Sequence, residues 1–242
     1  MTAARTLFVT ATDTGAGKTL AACGLLHALR ARGLRACGFK PVAAGGMETP
    51  EGLRNEDALA LQEAGGTDEP YSLINPCLLR EPAAPHLAAG MEGRRIRMAD
   101  LDVAHRELAS RYETLVAEGA GGWQVPLDEV WTLGSWVAER EWPVILVVGM
   151  RLGCLNHALL SAESITRRAK LAGWIANVLP PQMPLLEGNI ETLRRRFAAP
   201  LLGIIPAGAD ARAAGRALDL APLGRFLDPP PPPEPDEEGE EG

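Results

Sequence analysis

Five side chains in this sequence have the types and placement to act on a phosphorylated ligand: Lys18, Thr19, Lys40, Asp57 and Glu118. The first two close the segment Thr6-Leu-Phe-Val-Thr-Ala-Thr-Asp-Thr-Gly-Ala-Gly-Lys-Thr-Leu20. There a short β-branched and aromatic run gives way to a turn and then to leucines at helical spacing, Leu20, Leu25, Leu26 and Leu29. Gly17 and Lys18 therefore fall where a loop becomes a helix. The unpaired N–H groups of a first helical turn, at the positive end of its dipole, receive a phosphate at such a place, with Lys18 on the outer oxygens and Thr19 on Mg²⁺. The phosphate-loop pattern asks for a glycine five residues before Gly17, where Thr12 stands; a loop one residue longer puts Ala11 there. A lysine-threonine pair also caps ordinary helices, and it is the strand-to-helix placement that favours a nucleotide site.

The other three charges need elements that bring them to the same place. Lys40 follows an expected strand, Leu34-Arg-Ala-Cys-Gly-Phe39, and Pro41 holds it extended. At the carboxyl end of a strand in an open parallel sheet it either projects into the crevice of the phosphate loop or is a solvated lysine before a loop. Asp57 sits in the first turn of a helix beginning Asn55-Glu-Asp-Ala-Leu-Ala-Leu-Gln-Glu63, as a Mg²⁺ ligand or as an acidic residue favoured by the helix dipole. Glu118 ends a third strand, Leu115-Val-Ala117, and leads into Gly119-Ala120-Gly121-Gly122-Trp123. A hard anionic ligand beside a backbone that can approach closely suits a magnesium-nucleotide site, although glycine turns without function look the same.

Further strands are expected at Trp142–Val148, Leu171–Ala176, which ends at Asn177, and Leu201–Ile205, which ends at Pro206. Helices are expected from Asp100 to about Arg111 and after the Gly149–Asn156 turn through Ser164. Residues 65–99, with Pro70, Pro76, Pro82 and Pro85, show no countable period, and His86 there reads as a surface or packing histidine. Strands alternating with helices predict an α/β fold: a doubly wound, mostly parallel sheet with helices on both faces, like that of P-loop NTPases.

At 242 residues the chain has room for one such domain, expected over 1–228. The run 229–242, proline-rich and then acidic, has too little apolar surface to fold and is expected to be disordered. A 46% apolar fraction with 5% aromatics describes an ordinary globular chain, no run approaches a membrane span, and no cleavable leader is evident, which predicts a cytoplasmic protein without a membrane partner. A net charge of −7 without a basic stripe argues against nucleic acid. The scattered Cys23, Cys37, Cys77 and Cys154 predict free thiols.

From Thr6 to Pro206 the chain resembles the dethiobiotin synthetase family. The likeness is carried by Thr12-Asp-Thr-Gly-Ala-Gly-Lys-Thr19, Gly38-Phe-Lys-Pro-Val42, Asn55-Glu-Asp-Ala-Leu59, Glu118-Gly-Ala-Gly-Gly-Trp123, Leu152-Gly-Cys-Leu-Asn-His157 and Gly173-Trp-Ile-Ala-Asn177, all in the family's order. The resemblance implies an ATP-dependent cyclo-ligase and homodimer that uses 7,8-diaminopelargonate, CO₂ or bicarbonate, and ATP. It implies Lys18 and Lys40 as the catalytic cations and Thr19, Asp57 and Glu118 as the Mg²⁺ site. ATP would meet Gly15, Ala16, Gly17, Lys18, Thr19, Leu20, Asp57, Glu118, Gly119, Ala120 and Gly121, with Asn177, Pro206, Ala207 and Gly208 at the adenine end. The substrate would meet Thr14, Lys40 and Ala44, and its distant carboxylate would meet Leu152, Gly153, Cys154, Leu155 and Asn156 of the neighbouring subunit.

The chain departs from the family pattern at Ala11 (usually glycine), Gly15 (often glutamate), Ala44 (a small hydroxyl residue) and Val178 (often acidic). Two other readings compete. A partitioning-type switch ATPase carries a second lysine where Asp13 stands here, and a regulatory nucleotide-binding module of the same fold need not keep Lys18, Lys40, Asp57 and Glu118 together.

Overall fold

A computed structural model describes residues 4–227. The expected tail, 229–242, lies outside the described residues. Six strands form the main sheet: β1 (Arg5–Ala11), β2 (Ala36–Phe39), β3 (Thr114–Glu118), β4 (Val144–Met150), β5 (Leu171–Val178) and β6 (Leu201–Ile205). All pairings are parallel, in the order β6-β5-β4-β1-β3-β2. The chain thus leaves the central β1 in one direction for β2 and β3 and in the other for β4, β5 and β6. Ligand crevices form at the carboxyl ends of strands where an open sheet reverses in this way.

Both faces of the sheet are covered, so its strands read as near-continuous apolar runs. Leu7, Val9 and Ala11 of β1 face one core, shared with Val116, Ile145 and Val147 and closed by helix α1 (Lys18–Ala31) and helix α2 (Glu56–Gly65). Phe8 between them faces the other core with Leu115, Ala117, Leu146 and Trp174, closed by helix α3 (Met98–Ala109) and helix α4 (Cys154–Thr166). This alternation along each strand is the period-2 geometry of a pleated sheet.

The expected elements are all present with shifted ends: β2 begins at Ala36 and β4 runs Val144–Met150, while α3 starts at Met98. Residues 65–99 hold the short helices Tyr71–Ile74 and Pro85–Met91 and the strand Cys77–Leu79, which pairs with Val42–Ala44. Met47–Thr49 and Gly52–Arg54 form a hairpin, and Leu186–Arg196 is a further helix that the sequence did not announce. The four cysteines are free and buried. Burial pushes the Cys23 and Cys37 thiols up to about 12 and that of Cys77 up to about 11.

Candidate active site

Strand register alone brings two of the five charges together. Phe39 of β2 pairs with Ala117 of β3, so Lys40 and Glu118, one residue further on each strand, emerge side by side. Lys40 Nζ donates to Glu118 Oε1 at 2.6 Å, to Asp57 Oδ2 at 2.7 Å and to the Gly119 carbonyl at 3.1 Å. Lys40 is therefore a buried, three-bonded ammonium, not a solvated one.

Asp57 arrives from the other side, on the first turn of α2. Asn55 caps that helix, its side-chain oxygen accepting from the N–H groups of Asp57 and Ala58. Thr19 Oγ1, one residue into α1, lies 2.7 Å from Asp57 Oδ1 and 2.9 Å from Glu118 Oε1 and has a single proton for the two of them. Lys18 Nζ donates to the Asp13 carbonyl at 3.3 Å across the loop.

The charges perturb one another. Burial pulls the Lys40 ammonium down, but the carboxylates of Glu118 and Asp57 outweigh it and hold it above its ordinary value. Burial pushes the Glu118 carboxyl up against the pull of Lys40. Asp57, less enclosed, is held below the usual carboxylate range because Lys40 and the Thr19 hydroxyl outweigh its burial. Lys18 is lowered by burial and by the nearby charge of Lys40. Charged groups that perturb one another beside a cleft are candidates for a functional site.

Lys18, Thr19, Lys40 and Asp57 line a cleft of about 800 Å³, and the fully buried Glu118 bonds two of them, Thr19 and Lys40. Thr14, Gly15, Gly17, Lys18 and Thr19 form one side, Lys40, Ala44 and Asp57 the floor, and Ala120 and Gly121 a further wall. Pro82–Pro85 and Val125–Pro126 also line it. The sequence reading missed both segments; the prolines of 65–99 were the one available signal.

The phosphate loop has the geometry its glycines predict. Gly17 is the N-cap of α1 with φ 90°, in the left-handed region, and Gly15 has φ 72°. The first turn of α1 carries no side-chain cap and no acidic residue, which leaves its N–H groups for an anion. Ala16 is buried and Leu20 partly so, and neither side chain lines the cleft.

The remaining expected residues lie beyond this cleft. Asn177 ends up beneath the phosphate loop: it is 3% exposed and its Nδ2 donates to the Ala16 carbonyl at 2.9 Å. It pairs with Ile205 across β5 and β6, so Asn177 and the exposed Pro206, Ala207 and Gly208 share one end of the sheet. Leu152, Gly153 and Asn156 are exposed at the start of α4, while Cys154 is buried and Leu155 partly so. Arg151, just before them, bonds to Asp13 Oδ2 at 2.5 Å and so ties this turn to the phosphate loop.

Two carboxylates and a threonine hydroxyl fit Mg²⁺, a hard ion that takes few protein ligands and keeps the rest of its octahedron for water and phosphate oxygens. Glu118 Oε2 is buried without a hydrogen-bond partner, an orphaned acceptor of the kind a cation satisfies. Among the described residues no cluster of three or more His, Cys, Asp or Glu forms a self-sufficient metal cage.

A parallel sheet reversing at β1, a glycine loop running into a helix, and an acidic pair facing the loop lysine define a P-loop-type nucleotide-binding protein. The fold is shared with the ParA family ATPase from Chlorobium tepidum TLS (TM-score 0.54, 16% identity, covering 93% of this chain and 95% of that one). A family model described as an AAA domain matches residues 5–214. The chain is 49% identical over 222 residues to ATP-dependent dethiobiotin synthetase BioD of Cellvibrio japonicus (strain Ueda107), covering 90% of this chain and 97% of that one. It is 44% identical over 220 residues to ATP-dependent dethiobiotin synthetase BioD 1 of Escherichia coli (strain K12), covering 89% and 98%. The chain belongs to the ATP-dependent dethiobiotin synthetase family.

Proposed function

We propose that this chain closes the ureido ring of dethiobiotin in biotin biosynthesis, using 7,8-diaminopelargonate, CO₂ and ATP. One amine of the substrate adds to CO₂ and loses a proton, giving a carbamate. A carbamate oxygen displaces ADP from the γ-phosphoryl group, and the second amine then attacks the carbonyl of the mixed anhydride and expels phosphate. The observation that carries this reading is the bonded cluster of Lys40, Glu118, Asp57 and Thr19 at the cleft that Lys18 also lines, in a chain with the relatives above.

The reaction brings two anions together, so catalysis is mostly charge stabilisation and positioning. Lys18 follows the phosphate loop and neutralises the outer phosphate oxygens. Lys40, charged and held at the strand end, faces the carbamate and the group in flight. Thr19, Asp57 and Glu118 would hold Mg²⁺, which would supply charge neutralisation to the phosphate groups. Asn177 and Pro206–Gly208 form the adenine end, and Thr14 and Ala44 face the diamine. The working unit is a cytoplasmic homodimer in which the Leu152–Asn156 turn of one subunit receives the substrate carboxylate of the other.

The test is phosphate release from ATP, with the product identified by mass. Release that needs both the diamine and bicarbonate, with dethiobiotin formed, is expected. Hydrolysis without them identifies a switch ATPase, and nucleotide binding without any hydrolysis identifies a regulatory module.

A further inference from the structure

Lys40 and Asp57 meet at 2.7 Å although they leave different elements, the end of β2 and the first turn of α2. Their backbones are joined through two residues of the 65–99 segment. Tyr71 Oη accepts from the Asn55 N–H at 2.8 Å and donates to Asn75 Oδ1 at 3.1 Å. Asn75 Nδ2 donates to the Lys40 carbonyl at 2.7 Å, and the Lys40 N–H donates to the Ile74 carbonyl at 2.7 Å. At the other end Asn55 caps the helix that carries Asp57, and its Nδ2 donates to the Ala44 carbonyl at 3.4 Å.

Each link is fixed by its chemistry. The Tyr71 hydroxyl donates once and accepts once, so both partners hold it in one rotamer. The Asn75 amide is 3% exposed and engaged at both its oxygen and its nitrogen, which fixes its orientation, and Asn55 is 5% exposed. The Arg54 guanidinium lies 4.4 Å over the Tyr71 ring and covers it. A hydrogen-bonded chain of this kind, with Tyr71 partly and both asparagines fully buried, transmits position from one backbone to the other, and a catalytic group displaced by about 1 Å loses on the order of a hundredfold in rate.

We propose that Tyr71 and Asn75 are positioning residues: through the Lys40 carbonyl and the Asn55 cap they hold the Lys40 ammonium and the Asp57 carboxylate in register for the reaction. This rests on the functional reading above. Tyr71→Phe keeps the ring under Arg54 and removes only the hydroxyl, and Asn75→Leu keeps the bulk and removes the amide with its bonds to Tyr71, Lys40 and Cys77.

Both variants are assayed at a temperature where circular dichroism shows parent and variants folded. In each, kcat for dethiobiotin falls tenfold or more while KM for ATP stays within twofold. The Mg²⁺ concentration that half-saturates ADP binding, measured by calorimetry, rises threefold or more. The double variant falls no further than the worse single one, because hydroxyl and amide act along one chain. Arg54→Ala, which uncovers the ring but leaves the hydroxyl, keeps both values within twofold. Variants that lose stability but keep kcat and the Mg²⁺ half-saturation within twofold of the parent overturn the proposal. A parent that makes no dethiobiotin from diamine, bicarbonate and MgATP overturns the functional reading instead, and the Mg²⁺ titration still decides the brace.

Discussion

The side-chain amide of Asn177 is bonded to the carbonyl of Ala16 at 2.9 Å, so the carboxyl end of β5 props the phosphate loop from below. The prop leaves no room above it. A methyl group on Gly17 would lie 2.1 Å from Asn177 Nδ2, and the backbone there has φ 90°.

Gly17→Ala should therefore combine left-handed strain with displacement of a buried amide and destabilise the fold by about 2 to 4 kcal/mol, with loss of nucleotide binding. Removing the amide in that background should cost less than in the parent, because its bond to Ala16 is already broken. Urea unfolding of Gly17→Ala, Asn177→Ala and the pair measures this. Additive losses would mean that the two residues do not act on each other.

The acidic pair should be separable by stability and joined by magnesium. Glu118 has a side chain 0% exposed and Asp57 one 34% exposed, both on Lys40. Glu118→Gln breaks a buried pair and should destabilise by about 3 kcal/mol, while Asp57→Asn costs less than half of that. Both should lose about 3 kcal/mol of transition-state stabilisation, on the order of a hundredfold in rate, and need more Mg²⁺ for half-maximal activity. An unchanged Mg²⁺ dependence in both variants removes these carboxylates from the metal site.

Stability should fall in mild acid for a reason outside the cleft. His105 bonds Thr6 Oγ1 at 2.8 Å and packs 4.5 Å from the Trp142 ring; burial pulls its pKa from 6.5 down to about 4. Between those values the unfolded chain binds the proton and the folded one does not, so this contribution is complete above about pH 6.5 and shrinks as pH falls toward 4. By pH 5 the loss is about 2 kcal/mol. Urea unfolding at pH 7.5 and 5 should show it in the parent and not in His105→Gln. An equal loss in both would place the acid sensitivity elsewhere.

Sequence showed some of this architecture clearly and some not at all, for physical reasons. The inner strands of the main sheet are buried on both faces, so they stand out as apolar runs, and the ends of β2 and β3 locate Lys40 and Glu118 without any side-chain geometry. The helix Leu186–Arg196 buries only Ile190 and Leu193, too few positions to give a period. The 65–99 segment is held by bonds to distant backbone, such as Asn75 to Lys40, which leave no trace in local spacing. Asn177 was visible as a strand end, but its support of Ala16 joins positions 161 residues apart.

The proposal of a site shared between two subunits makes its strongest demand on the turn before α4. Leu152 is 93% exposed there, Gly153 caps α4 at φ 94°, and the first turn of that helix has no acidic residue or side-chain cap. The Cys154 N–H donates to the Arg151 carbonyl at 3.0 Å, the remaining N–H groups of this turn suit a carboxylate, and a second subunit would cover Leu152. Lys40→Gln should bind MgATP but lose turnover, because the charge facing the carbamate is gone. Asn156→Asp should lose turnover by repelling the substrate carboxylate. If each site takes Lys40 from one subunit and the turn from the other, a mixed dimer gathers both lesions in one site and leaves the other intact. Random exchange makes about half the dimers mixed, so roughly a quarter of all sites should be whole. The experiment is to unfold and refold the two variants together, verify heterodimers by mass, and measure dethiobiotin formation. Activity near a quarter of the parent's is the expected result. Activity no higher than the average of the separate variants, in a sample containing heterodimers, would mean that each site is built within one chain.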